Sequence, residues 1–513
     1  MNAKAEPHIR PYGDNPFYWQ IGGQPTVLLG GSFQDNPFQW VGIDYEFLCE
    51  HLDTLARVGG NYIRNTPTVR NVACPEWSDE GMAYPFVRLS DGRYDLTRFN
   101  DAPGRDSFFG RLDIFLEETG KRGIIVQQEL WDCSGIAAPW AKEPWNPDNN
   151  VNYAWEDVAG LFGRKDRCRI YDAAVRDPAN VFSKLRDGYV ARLLETTLKY
   201  EHVIYQIGNE LGVSPEASDY WTRYVLETAA QRGRTVYMCD QRRYHRAYQD
   251  GPIQDELAAQ DLCHPDNYYV IEHPEQFGFL DFSQNGGNTG DLHYEKLLRF
   301  REQVRNSPAG AVRPINHTKT YSMIWQFGTP WYNKPVPRSY EDECFLGQTR
   351  FWRSVFGGAA AVRFHRDTPS HAQDIRPGAL FGIGLRPEAQ AHIRSMRMLL
   401  TDPQGVDVFR MEPRPDAIAG EREPNEAFVL AQEGRQYAVY FTGGEVRVKG
   451  ETEYERLVRD NRIRIALPPG IYSETWLDIA RSRWEPKPER EGGTQLLAVP
   501  EGEQWVVVLK RGS

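Results

Sequence analysis

Glu210 closes the run VIYQIGNEL, an apolar stretch that ends in the pair Asn209-Glu210. A carboxyl group at the end of such a run can give or take a proton beside a polar ligand, and an adjacent amide can fix a hydroxyl. Other runs end in the same manner. NYIRNT carries Arg64 and Asn65, IIVQQELWD carries Glu129, Trp131 and Asp132, and TVYMCDQ carries Asp240. FGFLDFSQN ends in Ser283, Gln284 and Asn285, AAAVRFHRD carries Arg363 and His365, and TVLLGGS ends in Ser32. RPINHTKTYS reaches Tyr321, with Trp325, Gln326 and Trp331 just beyond. Gathered on one rim, these groups would form a pocket that hydrogen-bonds and stacks on a polyhydroxylated ligand. Each also has a plainer use. Arg64 can be a salt-bridge partner, Glu129 can pair with Arg64 or Arg363, and Asp132 and Asp240 can cap helices or anchor loops. His317 and His365 suit core or rim positions better than metal ligation.

The elements that must position these residues repeat as a unit: an amphipathic helix, a break, then a short β-branched run ending in polar residues. Asp44 to Val58 carries Phe47, Leu48, Leu52 and Leu55 on a helical stripe, with Asp44 as N-cap and Gly59-Gly60 as the stop. Ser107 to Arg122 repeats the pattern and ends at Gly123, and Val190 to Tyr200 leads into VIYQIGNEL. Ser214-Pro215 opens a further helix. Strands are expected to start near residues 26, 61, 124, 203, 235, 279, 314 and 359. Strands alternating with helices predict a parallel sheet, and a repeat of this length suits a closed (β/α)₈ TIM barrel. No GxGxxG or GxxxxGK[ST] follows any of these runs, which argues against a nucleotide-binding fold. After Leu400 the periodicity changes to short alternating runs between Gly, Pro and charged turns. The expected organisation is a barrel over 1–401, with an N-terminal β-hairpin and a long loop after the third strand, followed by a C-terminal β-sandwich over 402–513. The long loop, from Asp132 to about Asn180, is rich in Trp, Tyr and Asn and is expected to line the cleft.

Bulk properties narrow the class of partner. The 513 residues carry a net charge of −11, with no basic block of the kind that binds nucleic acid. No apolar run is long enough to span a membrane. The polar start MNAKAEPHIRPYGDNPF lacks the core of a signal peptide. That points to the cytoplasm, or to a secreted or periplasmic protein whose signal has been removed. Seven Cys at wide spacings with no CxxC read as reduced thiols, and neither HExxH nor DxDxDG is present, so no metal and no cofactor are expected. Aromatics reach 12%, consistent with a large core or with a ring-paved cleft.

VIYQIGNEL resembles the fourth strand of the clan A glycoside hydrolases, and NYIRNT resembles their second. The whole layout is similar to family-5-like glycosidases with a C-terminal β-sandwich. The resemblance implies a carbohydrate substrate. It makes Glu210 the general acid/base, Asn209 the residue that holds the sugar 2-hydroxyl, and Arg64 the support for a nucleophile. That nucleophile is a Glu closing the seventh strand. Here Arg313 to Asn333 contains no Asp or Glu. A second carboxylate could come from Glu129, Asp132 or Asp240, with Glu129 slightly favoured, or Tyr321 could be the nucleophile. A third possibility is that the seventh strand lies elsewhere and Glu272 or Glu275 serves. Trp131, Trp325 and Trp331 would stack on sugar, and Gln284, Asn285, Gln326 and His365 would bind it. Rival readings are a glycan-binding barrel without turnover and a barrel lyase or isomerase acting on sugar acids, with Lys319 as its candidate base.

Overall fold

The structure is a computed structural model. It describes residues 9–71, 79–132, 140–162, 170, 179–209, 214–240, 268–283, 290–322, 339–367, 382–420, 426–449, 453–458, 461–500, 502 and 504–512.

Eight strands form the central sheet: β1 (Leu28–Gly31), β2 (Tyr62–Asn65), β3 (Ile125–Asp132), β4 (Val203–Asn209), β5 (Met238–Cys239), β6 (Leu280–Asp281), β7 (Ile315–Thr320) and β8 (Ala361–Phe364). Every pairing is parallel, in the order β5-β4-β3-β2-β1-β8-β7-β6. A hydrogen bond from Phe279 N to Met238 O, 3.4 Å, brings the two ends together and all but closes the barrel. All eight expected strands are present, and β7 lies within the run expected for it. Glu272 and Glu275 precede β6, at the opposite end of the barrel from the strand C-termini, and both are exposed. They are therefore not the missing partner.

Among the described residues seven long helices surround the sheet: α1 (Tyr45–Arg57), α2 (Phe108–Lys121), α3 (Val181–Thr197), α4 (Pro215–Gln231), α5 (Gly290–Arg305), α6 (Tyr340–Phe356) and α7 (Pro387–Thr401). Side chains satisfy their first amides. Asp44 accepts from Phe47 N, Ser107 from Gly110 N, and Ser214 from Ala217 N. Helix α3 starts well before the expected Val190. Its first turns carry Arg186, which breaks the apolar stripe in sequence. In the fold Arg186 is buried, its guanidinium 5.1 Å from the Phe182 ring and 5.2 Å from the Trp221 ring.

Close packing fixes the strand residues. A Cβ on Gly30 would lie 2.1 Å from Tyr62 O, so β1 can approach β2 only with glycine there. A three-stranded antiparallel sheet (Ile9–Pro11, Trp19–Ile21, Gln24–Thr26) precedes β1. From it Trp19 closes the lower end of the barrel, packing on Tyr237 and Phe279 and donating to Asn316 Oδ1 at 2.9 Å.

After α7 the chain forms antiparallel sheets. Glu412–Pro413, Ala427–Gln432, Gln436–Phe441, Trp505–Arg511, Arg462–Asp478 and Ile418–Ala419 pair in that order, with Arg483–Ala498 also on Arg462–Asp478. Gly444–Lys449 and Glu453–Val458 make a separate hairpin. The expected sandwich is seen in part. RIRIALPPG and YSETWLDI, read as two runs, are one strand that continues past Pro468-Pro469 with irregular register. Its first half pairs with Ile418–Ala419 and its second with Trp505–Arg511, so one bent sheet does the work of two layers. One face closes over its own core of Val429, Val439, Phe441, Ile465 and Val507. The other, with Phe428, Tyr440 and Val506, joins the barrel core. There Tyr440 stacks on Trp352 of α6 at 5.3 Å.

Candidate active site

Parallel strands aim their C-terminal ends at one rim, which is where a barrel can hold reactive groups. The register brings Glu129 opposite Gln206 and Asp132 opposite Asn209. Below the rim the interior is polar. Asn316 donates to Gln127 Oε1 at 3.2 Å, and Gln127 donates to Asp281 Oδ2 at 3.2 Å and to Gln206 Oε1. Gln206 donates in turn to Glu129 Oε1 at 3.2 Å. Such a network is stable without water only because its members satisfy one another.

Glu129 and Arg64 form its upper end. Arg64 Nε donates to Glu129 Oε1 at 2.7 Å, and Nη2 donates to Oε2 at 3.3 Å; both side chains are fully buried. Burial nonetheless pushes the Glu129 carboxyl up to about 7, against the pull of Arg64. Glu129 is thus a clasped carboxylate inside the barrel, the plainer of its two sequence readings.

Above this pair sits a carboxylate that the sequence reading passed over. Asp35, 2% exposed, is ringed by cations. Arg64 Nη1 lies 3.7 Å and Arg363 Nη2 3.6 Å from Oδ1, and Arg70 Nη2 is 3.8 Å from Oδ2. Arg366 pairs with Oδ2. Burial disfavours the charge, yet Arg366 and its neighbours hold the Asp35 carboxyl well below the usual range. His365 Nδ1 is 3.7 Å from Oδ1, and burial keeps this imidazole well below its ordinary value, so it is neutral. His365 also packs edge-on against Tyr321, ring centroids 4.7 Å apart. Tyr321 is buried, and its carbonyl accepts from Arg350 at 2.6 Å.

Asp132 stands apart from that hub. Asn209 Nδ2 donates to Asp132 Oδ1 at 2.9 Å, and Arg70 Nη2 lies 3.7 Å from Oδ2. One guanidinium therefore serves both Asp35 and Asp132. Asn209 Oδ1 is buried with no hydrogen-bond partner among the described residues. This acceptor stands where β4 ends.

The remaining candidates separate. Asp240 accepts from Ser218 Oγ at 2.6 Å, tying the end of β5 to the first turn of α4, an anchoring role. Trp131 is 2% exposed, with ring centroids 4.9 Å from Tyr189, 5.4 Å from Trp221 and 5.8 Å from Trp145. It packs in an aromatic cluster and offers no open face for stacking. His317 is a core residue bonded to Ser354 Oγ at 2.7 Å. Lys319 is buried in β7. Glu210, Gln284, Asn285, Trp325, Gln326 and Trp331 lie outside the described residues. Besides Asp35, the sequence reading missed Arg70, Arg366 and Glu143. The first two lie in the loops just past β2 and β8, where a search for strand-end residues that ran a few positions further would have met them. Glu143 sits in PWAKEPW of the long loop, with no periodic signal around it. Among the described residues no three His, Cys, Asp or Glu side chains gather as a metal set, and no helix is long and apolar enough to cross a membrane.

No family model and no curated sequence matches this chain. Solved structures do. A glycoside hydrolase family 5 protein from Bacteroides vulgatus superposes with a TM-score of 0.59 at 13% identity, covering 98% of this chain and 93% of that one. The chain has the fold of that family. A second structure, described as a glycoside hydrolase, gives a TM-score of 0.55 at 13% identity, over 98% and 97% of the two chains. An alpha-amylase from Geobacillus thermoleovorans gives 0.50 at 11% identity, over 95% and 99%. At these identities the likeness is one of fold, and the chemistry must be argued from the site.

Proposed function

We propose that the protein is a glycoside hydrolase that cleaves a glycosidic bond by carboxyl acid/base catalysis. One observation carries the reading: Asn209 ends β4 with its amide nitrogen on Asp132 and its buried carbonyl oxygen without a partner among the described residues. Glu210 is the next residue in the chain. The rim thus holds a carboxylate braced by an amide and a cation, beside an acceptor suited to a sugar hydroxyl. In this reading Glu210 protonates the leaving oxygen as the bond to the anomeric carbon breaks. Asp132 takes a proton from the water that attacks that carbon. Arg64, Glu129 and Asp35 form the rigid floor. Of the partners weighed from sequence, Asp132 has the strongest support. Glu129 is clasped by Arg64, and Asp240 is bonded to Ser218.

The absence of any acidic residue from Arg313 to Asn333 favours one rival, a barrel that binds glycan without turning it over. Turnover of a panel of aryl glycosides and plant or bacterial oligosaccharides separates the two. Sugar release by the wild type, lost in Asp132→Asn, is expected. Saturable sugar binding with no release from any substrate would favour the binding protein.

A further inference from the structure

Arg70 lies in the loop after β2, and its place is set from the loop after β1. Asn36 Nδ2 donates to Thr68 O at 3.2 Å and to Arg70 O at 3.1 Å, and Gln39 Nε2 donates to Thr68 O at 3.3 Å. The Arg70 side chain is buried and ends between two carboxylates. Its Nη2 is 3.8 Å from Asp35 Oδ2 and 3.7 Å from Asp132 Oδ2. A charge-assisted hydrogen bond of this kind runs to about 2.7–2.9 Å. That nitrogen therefore stands almost midway between the two acids and closes on neither.

The two acids are unequally supplied with positive charge. Arg366 pairs with Asp35 Oδ2, and Arg64 and Arg363 lie 3.7 Å and 3.6 Å from its Oδ1. Asp132 has the neutral amide of Asn209 at 2.9 Å, and Arg70 is the nearest cation to it among the described residues. The other charged groups around Asp132 give it little help. Arg64 acts on it from β2 but is clasped to Glu129 at 2.7 Å. Glu129 of β3 opposes its charge, and Glu143 lines the same small cavity from the long loop. Glu210 follows Asn209 in the chain.

We propose that Arg70 is a positioning residue that keeps Asp132 ionised, and that Asp35 opposes it by sharing the same guanidinium. The inference rests on the glycosidase reading above, in which Asp132 takes a proton from water. Asp132 must be charged to act, so activity falls on the acid side as it gains a proton. A cation this close favours the charged carboxyl. Without Arg70 the fall moves to higher pH. Without the charge of Asp35, Arg70 can close on Asp132 and a neighbouring negative charge is gone, so the fall moves to lower pH. A residue that only supported the fold would not give opposite shifts in these two variants.

The test compares full-length wild type, Arg70→Gln, Arg70→Lys, Asn36→Ala and Asp35→Asn, with thermal melting as the check on folding. The ratio kcat/KM is followed from about pH 4 to pH 8 on the aryl glycoside that wild type turns over fastest, since its acid limb reports the base of the free enzyme. Urea midpoints of Arg70→Gln, Asp132→Asn and the double variant, with and without Asp35→Asn, give the coupling of Arg70 to Asp132 without any turnover. The acid limb should rise by about one pH unit or more in Arg70→Gln, return toward wild type in Arg70→Lys, and fall in Asp35→Asn. Asn36→Ala loosens the loop and leaves every charge in place. It should shift the limb in the same direction as Arg70→Gln, and it stands in if that variant does not fold. The coupling should be favourable and should grow in the Asp35→Asn background. An acid limb that stays put in Arg70→Gln, or moves the same way there and in Asp35→Asn, overturns the proposal, as do urea effects that simply add. Coupling that grows in Asp35→Asn, without turnover of any substrate, would sink the hydrolase reading and leave the sharing of Arg70 standing. Turnover with additive urea effects and an unmoved limb would do the reverse, and neither turnover nor coupling would overturn both.

Discussion

Arg64 shows how single residues carry this site. It holds Glu129 through two hydrogen bonds, faces Asp35, and is itself fully buried. Removing one member of such a set leaves charge buried without a partner. Arg64→Met should therefore cost about 3–5 kcal/mol of stability, while Glu129→Gln, which keeps the shape and removes the charge, should cost clearly less. Urea midpoints of the two variants check the order; an equal loss would mean that the pair is not the brace described here. At this scale the sequence was half legible. Arg64, Glu129, Asp132 and Asn209 stood out because they end recognisable strands. Asp35, Arg70, Arg366 and Glu143 did not, since a loop residue's neighbours depend on backbone paths that no periodicity encodes. Trp131 misled for a related reason: a strand-end Trp can face a cleft or a helix layer, and only the fold shows Tyr189 and Trp221 around it.

Elements were the most legible level. All eight barrel strands lie in the runs where the sequence places them, because helix stops before each run and polar loops after it mark their bounds. The misreadings have physical causes. Helix α3 begins early because Arg186 is buried over aromatic rings, and the C-terminal strand runs through Pro468-Pro469 because a bent strand tolerates a break in its ladder. Strand β1 carries the sharpest expectation at this scale. With Gly30 Cα facing Tyr62 O, Gly30→Ala forces β1 and β2 apart and should cost at least about 3 kcal/mol, the upper end of the range for overpacking. Circular dichroism melting of the purified variant measures it. A melting temperature equal to that of the wild type would contradict the close contact.

Across the whole molecule, six of the seven described histidines are held uncharged by burial, and they shape its response to acid. Burial lowers His51, His202 and His317 to about 4 and His392 to about 3, and holds His293 and His365 well below their ordinary value. In the unfolded chain these rings take up protons near 6.5, so between that pH and about 4 the unfolded state binds more protons. Stability is then present above about 6.5 and is lost as the pH falls toward 4. Carboxyls raised by burial work the other way: Glu129 near 7, Asp367 near 6, and Glu143 and Asp187 in the same direction. They offset part of the loss, and the histidines outnumber them. Urea midpoints should fall steadily from pH 7.5 to pH 5, and a rising midpoint would contradict the account. The fold itself, a barrel sharing its core with a bent antiparallel sheet, could be read from the sequence in outline. Its chemistry could not, because one barrel serves many reactions. The central claim is that Glu210, which follows the braced Asn209 in the chain, is the acid of a glycosidase. It is tested most directly by the steady-state kcat of wild type and Glu210→Gln on aryl glycosides of differing leaving-group acidity. The account predicts turnover by the wild type and a loss of about 10²–10⁴-fold in Glu210→Gln, largest for the poorest leaving groups. Equal rates for the two proteins, or no turnover by the wild type on any substrate it binds, would contradict it.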